Sequence, residues 1–324
     1  MIKAVVGIDI GGTSTKFGIV DKKGLCLKAN SINTGQYIDF DEFLKCLYKG
    51  IKGINDMINT IYKDINIQGV GIGAPNGNYY RGTIEHAPNL NWKGIVPFVK
   101  KFKKYFPDIP VVLTNDTKAA AIGEMVYGGA KNMNNFVVVT LGTGLGSAFV
   151  VDGCLVYGND GWAGELGHVN FKQNGRTCRC GNQGCLETYV SATGIKRTLF
   201  NLLRAGYRKS ALRDVGFNEL TSKMIYDAAR KGDALAHEAF AITGEILGVK
   251  LADVVAITNP EAIFILGGLA RAGDMIFKPT RKSMEKNLFP VFRGKVRILP
   301  SKLKRENAAV LGAGALVWKE LNSQ

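Results

Sequence analysis

Three cysteines and a histidine form the densest group of metal-binding side chains in this sequence. The run Cys178-x-Cys180-Gly181-x-x-Gly184-Cys185 follows His168. Three thiolates and one imidazole complete a tetrahedral zinc shell, and the two glycines let the chain fold back on the ion. With all four positions filled by protein, such an ion is structural: it orders the loop rather than activating water. The competing reading is a disulfide, against which stand the strain of a Cys-x-Cys ring and a reducing compartment. Cys26, Cys46 and Cys154 lie apart and read as small buried hydrophobes.

Two glycine-rich turns offer a different chemistry. Phosphate oxygens need several N–H donors converging at short range, an approach that side chains on Cβ obstruct. Asp9-Ile10-Gly11-Gly12-Thr13 and Gly142-Thr143-Gly144-Leu145-Gly146 both supply bare backbone, with hydroxyls from Thr13 and Thr143. Asp9 ends its strand beside the first turn, where it could hold Mg2+ through water, and Lys16 could reach a phosphate. Each turn alone also reads as an ordinary tight hairpin, and Lys16 as an exposed lysine. The second turn runs into a strand rather than a helix, which argues against a dinucleotide site. A Gly-x4-Gly-Lys-Ser/Thr loop is absent from the sequence. Both turns together, with a third glycine pair at Gly267-Gly268, favour ATP with its phosphates clamped from two sides.

A third group has acid–base potential. Asn115-Asp116 follows a short strand and opens a helix. A carboxylate there is a common N-cap, and the helix N-terminus also keeps it ionised, ready to take a proton from a substrate hydroxyl. Glu165-x-x-His168 and Glu187 flank the cysteine run and suit the hydroxyls of a hexose. Taken singly, Glu165 and Glu187 read as surface carboxylates.

These groups sit on a repeated scaffold. The segment VVGIDIGGTSTKFGIVD, ending at Asp21, aligns without gaps with VVVTLGTGLGSAFVVD, ending at Asp152, so that Gly11 falls on Gly142 and Gly12 on Thr143. Each copy reads as an apolar strand, a Gly/Thr turn and a second apolar strand. After the first copy, periodicity predicts a helix over 40–62, strands over 69–73 and 111–113, and a helix from about 117. After the second come the cysteine loop, a long helix over 234–257, a strand over 262–266 stopped by Gly267-Gly268, and helices over 274–287 and 306–321. Strands alternating with helices, with apolar runs such as 136–140, indicate mixed α/β domains with buried sheets. The expected division is a lobe over 1–118, completed by the C-terminal helix 304–324, and a larger lobe over 119–303 that carries the zinc loop. Without a low-complexity linker between them, the lobes are expected to enclose a central cleft.

Composition narrows the function classes. The 324 residues suffice for two domains, and 46% hydrophobic with 21% charged residues describes a globular protein rather than a disordered one. No stretch approaches the roughly 18 apolar residues of a membrane span. The N-terminus enters a strand at once, unlike a signal peptide, so a cytoplasmic location is expected. Lys and Arg outnumber Asp and Glu by 42 to 27, a formal net charge of +15. These charges are spread along the chain, which reads as a solvated basic surface and not as a nucleic-acid site.

The residues together resemble the repressor/ORF/kinase (ROK) sugar kinases, most closely the bacterial glucokinases in that family. The resemblance runs the full length: Asp9-Ile10-Gly11-Gly12-Thr13, Gly73-Ala74-Pro75, Pro88-Asn89-Leu90-x-Trp92, Asn115-Asp116, the 141–146 turn, Glu165-Leu166-Gly167-His168, the Cys178/Cys180/Cys185 signature with Glu187, and Leu266-Gly267-Gly268. It implies the actin-like ATPase (ribonuclease H-like) fold with two duplicated lobes. It makes Asp116 the general base for a sugar 6-hydroxyl attacking the γ-phosphoryl group of Mg-ATP. It places Asn89, Asn115, Glu165, His168 and Glu187 on the sugar, with His168 also on zinc. Gly12, Thr13, Thr143 and Gly144 would hold phosphates, Gly267-Gly268 would pack by the adenosine, and the family suggests a homodimer. Two positions depart from the pattern: Thr114 where Glu is common before Asn-Asp, and Asn76 where Pro is commoner. The rival readings are a kinase for another hexose or N-acetylhexosamine, and a sugar-sensing regulator. The regulator is disfavoured by the eight residues ahead of Asp9 and by the presence of Asp116.

Overall fold

The computed structural model describes residues 2–62, 64–206, 209–303 and 307–323. In chain order the elements are β1 (Ile2–Ile10), β2 (Ser14–Asp21), β3 (Cys26–Asn33), α1 (Phe40–Tyr62), β4 (Ile65–Ala74), β5 (Gly77–Asn78), β6 (Thr83–Glu85), β7 (Ile95–Val96), α2 (Phe98–Phe102), β8 (Val111–Asn115) and α3 (Asp116–Val126). They continue as β9 (Phe136–Leu141), β10 (Leu145–Val151), β11 (Cys154–Leu155), α4 (Ala192–Arg204), α5 (Ser222–Arg230), α6 (Ala234–Thr258), β12 (Ala262–Leu266), α7 (Asp274–Asn287), β13 (Arg297–Pro300) and α8 (Ala308–Ser323). The expected start of α8, Glu306, lies outside the described residues.

Two compact units result: Met1–Met133 with Leu155–Ala163 and Ser301–Gln324, and Asn134–Cys154 with Gly164–Pro300. The expected boundary at 118/119 is therefore displaced. α3 runs on to Val126 and packs on α8, where a Cβ on Gly123 would come within 2.9 Å of Gly312 Cα. Cutting the helix at 118 would sever that contact. The segment 155–163 belongs to the first unit because Asn78 Nδ2 donates to Asp160 O (2.8 Å) and the buried Lys118 Nζ to Gly161 O (2.7 Å).

The sheets share one plan. The first unit orders its strands β3-β2-β1-β4-β8 and the second β11-β10-β9-β12-β13. In each, a hairpin of antiparallel strands (β1–β2, β9–β10) leads to two parallel neighbours. Central strands covered on both faces must be apolar throughout, as in β1, where Ala4, Val5, Val6, Ile8 and Ile10 are all buried. The repeat is not ungapped in space, however. Ile10 pairs with Thr15 in the first hairpin, whereas Leu141 pairs with Leu145 in the second. The second turn is one residue shorter, so β10 is slipped by one against the sequence alignment, and a one-residue slip exchanges the faces of a strand. Lys16 is exposed and its aligned partner Ser147 is buried for that reason.

Helix placement follows from side-chain pattern. Along α1, Phe43, Leu44, Leu47, Ile51, Ile54 and Ile58 form one buried stripe, and Asp39 caps its start by accepting the Glu42 N–H at 2.8 Å. α8 approaches its sheet where neighbouring strands carry paired glycines. A Cβ on Gly7 would lie 2.1 Å from Val310 O, and one on Gly71 1.9 Å from Ala313 O. In the second unit α6 is apolar nearly all round, starts under the Asp233 cap and stops at Asn259 in the left-handed region, φ 40°. The lone cysteines are less buried than expected: Cys154 is exposed, Cys26 and Cys46 half-buried.

Candidate active site

In the first unit the turn after β1 closes on itself, with Gly11 N–H donating to Ser14 O at 3.1 Å. Gly11 thus spends its donor inside the hairpin. Among the described residues, no backbone carbonyl takes the N–H groups of Gly12 and Thr13. Thr13 O accepts from Thr34 N (2.9 Å) and Gly35 N (3.4 Å), tying the turn to the loop after β3. Asn89 lies against the other side: a Cβ on Gly12 would come within 2.5 Å of Asn89 O. Glycine at 12 is required for that approach.

Asp9 and Lys16 face each other across the ladder, the one partly buried and the other exposed. Burial pushes the Asp9 carboxyl up to about 6, the nearby charge of Asp116 adds to this, and Lys16 opposes it. Asn115 is the N-cap of α3, its Oδ1 accepting from Thr117 N at 2.9 Å and Lys118 N at 3.4 Å. Asp116 Oδ1 accepts from Thr117 N at 2.7 Å. The Asp116 carboxyl is raised above the usual carboxylate range by desolvation, with the Thr117 and Asn115 hydrogen bonds pulling the other way. Asp116 is itself exposed, so the group is open to a substrate. A carboxyl such as Asp9, whose ionisation is opposed by burial and by a neighbouring carboxylate, suits a divalent cation, which would relieve it. Thr114, in place of a family carboxylate, is wholly buried in β8.

In the second unit Gly142 N–H donates to Gly144 O at 3.0 Å, and among the described residues no backbone carbonyl takes the N–H groups of Thr143 and Gly144. The start of α4 braces this turn: Ala192 N donates to Gly142 O (2.8 Å) and Thr193 Oγ1 to Thr143 O (3.0 Å). Gly267, at φ 95°, packs on the end of β9, where a Cβ would meet Leu141 O at 2.4 Å. Gly268 is exposed and leads into the short helix 269–272.

His168, Cys178, Cys180 and Cys185 converge, their ligand atoms all within 4.8 Å of one another. Cys180 Sγ is 3.6 Å from Cys185 Sγ, and Cys178 Sγ 3.9 Å from His168 Nδ1. Zn–S bonds of about 2.3 Å at tetrahedral angles separate sulfurs by roughly 3.7 Å, so the donor set fits the ion. A disulfide needs about 2.05 Å and is not formed. Burial raises the Cys178 thiol, with the Glu187 carboxylate beside it adding to the shift. Glu187 Oε1 accepts from Cys178 Sγ at 3.0 Å, while Oε2 accepts the Leu145 N–H at 3.4 Å. Glu187 therefore bridges the cysteine cluster to the second glycine turn. Glu165 is exposed and precedes the short helix carrying His168.

Several supporting groups escape a sequence reading. Arg176 donates to Thr188 O (2.8 Å), Gly194 O (3.1 Å) and Thr198 Oγ1 (3.0 Å) and stacks 4.4 Å over Tyr189, pinning the cysteine loop to α4. Asn91 Nδ2 donates to Gly35 O (3.0 Å) and Tyr37 O (3.2 Å). Loop polar residues have no periodicity, so only the folded chain reveals them.

The sequence matches the ROK family over residues 5–320. The chain belongs to the ROK family. It is 34% identical to a glucokinase of Thermotoga maritima over 98% of both chains. A ROK glucokinase of Streptomyces griseus, solved with glucose and AMPPNP, shares 30% identity and a TM-score of 0.81, with 98% of this chain and 99% of that one covered. A ROK transcriptional regulator, a homologue of the E. coli MLC protein, gives a TM-score of 0.86 at 26% identity, covering 99% of this chain and 79% of that one. The actin-like ATPase fold expected from the resemblance is thereby established. Among the described residues, no helix is long and apolar enough to cross a membrane.

Proposed function

We propose that this ROK chain transfers the γ-phosphoryl group of ATP to the 6-hydroxyl of glucose. The observation that carries the reading is Asp116: an acceptor at the start of α3, open to solvent yet raised by desolvation, beside a turn whose Gly12 and Thr13 amides have no backbone partner among the described residues. A carboxylate of raised basicity is suited to withdraw a hydroxyl proton as the oxygen attacks phosphorus. Gly12, Thr13, Thr143 and Gly144 would take the phosphates, with Asp9 holding magnesium through water, Lys16 supplying positive charge, and Gly267-Gly268 beside the adenosine. Catalysis of this kind is mainly positioning and charge stabilisation.

Asn89, Asn115, Glu165, His168 and Glu187 would bind the sugar hydroxyls. Zinc held by His168, Cys178, Cys180 and Cys185 would fix the tautomer and direction of the imidazole, leaving Nε2 for a hydroxyl. Glucose is favoured by the two glucokinases, one of them solved with glucose. A regulator is the second reading, favoured by the 0.86 TM-score to the MLC homologue; a basic acceptor at Asp116 is a feature that sugar sensing alone does not need. An ADP-release assay with Mg-ATP and a panel of hexoses and N-acetylhexosamines separates these. Turnover with glucose supports the proposal, turnover with another sugar only would replace glucose, and binding without turnover would favour the regulator. Homodimer formation is proposed on the family resemblance alone.

A further inference from the structure

Asn76 adopts φ 50°, in the left-handed region, between β4 and β5. Its single amide nitrogen donates to two consecutive carbonyls, Glu85 O at 3.0 Å and His86 O at 3.3 Å. Its own carbonyl accepts the Glu85 N–H at 3.1 Å. His86 is also left-handed, at φ 51°, and closes the following loop by donating its N–H to Gly94 O at 2.8 Å. Asn89 rises from this loop, exposed and seated on Gly12. The loop is thus braced at its base by Asn76 and tied to the phosphate-side turn at its tip. Asn91 holds its far side to Gly35 and Tyr37, the same segment that donates to Thr13 O.

Asparagine meets both demands at position 76. It tolerates the left-handed backbone better than other residues with a Cβ, and its NH2 group supplies two donors from one atom. Aspartate keeps the backbone preference and turns an acceptor toward two carbonyls; glycine keeps the backbone freedom and supplies no donor.

We propose that Asn76 is a positioning residue for sugar recognition, acting through Asn89 by fixing the base of the 86–94 loop. This rests on the reading of Asn89 as a sugar contact. Removing two hydrogen bonds from a loop base loosens the tip, so the affected quantity is sugar binding, while the Gly12–Thr13 turn keeps the hydrogen bonds of its own that hold it, Gly11 N–H to Ser14 O and Thr34 N–H to Thr13 O.

The test is steady-state kinetics on the full chain with Asn76→Asp, Asn76→Gly, Asn89→Ala and the double variant Asn76→Gly/Asn89→Ala. Asn76→Gly and Asn76→Asp are expected to raise the hexose KM about tenfold, leaving the ATP KM within about twofold. The double variant should show the hexose KM of Asn89→Ala alone, because a residue acting through another adds nothing once that one is gone. Additive effects, or equal rises in both KM values, would assign Asn76 a general structural role and overturn the proposal. Unchanged hexose KM in the Asn76 variants with a raised one in Asn89→Ala would overturn it and leave the sugar reading of Asn89 standing. An unchanged KM in Asn89→Ala would overturn both. Should Asn76→Asp fail to fold, Asn76→Gly, which imposes no side chain, decides alone.

Discussion

The Glu187 carboxylate stands 3.0 Å from the Cys178 sulfur and accepts the Leu145 N–H from its other oxygen at 3.4 Å. One side chain thereby links the cysteine loop to a glycine turn. A thiolate so close to a carboxylate is tolerable when a cation neutralises the sulfur, so the pair and the ion should depend on each other. Glu187→Gln keeps the size of the side chain and removes its charge. The expected result is a tenfold to hundredfold lower kcat/KM for the hexose, since hydrogen bonds to charged groups are worth about 1.5–3 kcal/mol, with the ATP KM little changed.

Metal analysis of the purified protein should find about one zinc per chain, and Cys180→Ser should lose it. Stripping zinc with a chelator should lower the melting temperature and expose the 168–187 loop to protease. Protein free of zinc, with unchanged melting and proteolysis after chelator treatment, would show that the cluster folds without an ion.

The raised carboxyls make a pH prediction. Asp116 must be ionised to accept a proton, so kcat/KM should fall on the acid side at a pH above the ordinary carboxylate range of about 4. A pH–rate profile with its acid limb near 4 would contradict the desolvated environment of the base.

Asp9 makes a stability prediction of opposite sense. Its folded-state value of about 6 lies above the 3.8 of the unfolded chain. The ionised form is therefore disfavoured by folding: the charge destabilises the protein above about pH 6, and this cost disappears as pH falls from 6 toward 4. Asp9→Asn should raise the melting temperature at pH 7.5 while lowering activity, and the gain should vanish near pH 4. A lower melting temperature at pH 7.5 would mean that the Lys16 pairing outweighs desolvation.

Much of this was legible in the sequence, for physical reasons. α1 declared itself through six apolar residues at helical spacing, and β12 through five apolar residues stopped by glycine, so both fall where periodicity puts them. The Cys/His cluster of His168, Cys178, Cys180 and Cys185 was legible because its spacing is chemical and independent of the rest of the fold. The register of β10 was not, since an ungapped alignment counts residues while a hairpin counts hydrogen bonds. The unit boundary was missed because α3 owes its place to glycine contacts with α8 from the far end of the chain. Gly11 and Gly142 share sequence features with the other turn residues, yet the structure uses their N–H groups to close the turns. Arg176 and Asn76 act through loop carbonyls that no spacing rule anticipates.

The most direct measurement follows glucose and Mg-ATP by phosphorus NMR with the wild-type protein and with Asp116→Asn. The wild type should produce ADP and a phosphomonoester on the 6-oxygen of the sugar, and the variant should do so at least ~10²-fold more slowly, the usual loss with a general base. Equal rates for the two proteins, or phosphate appearing only as free inorganic phosphate, would contradict it.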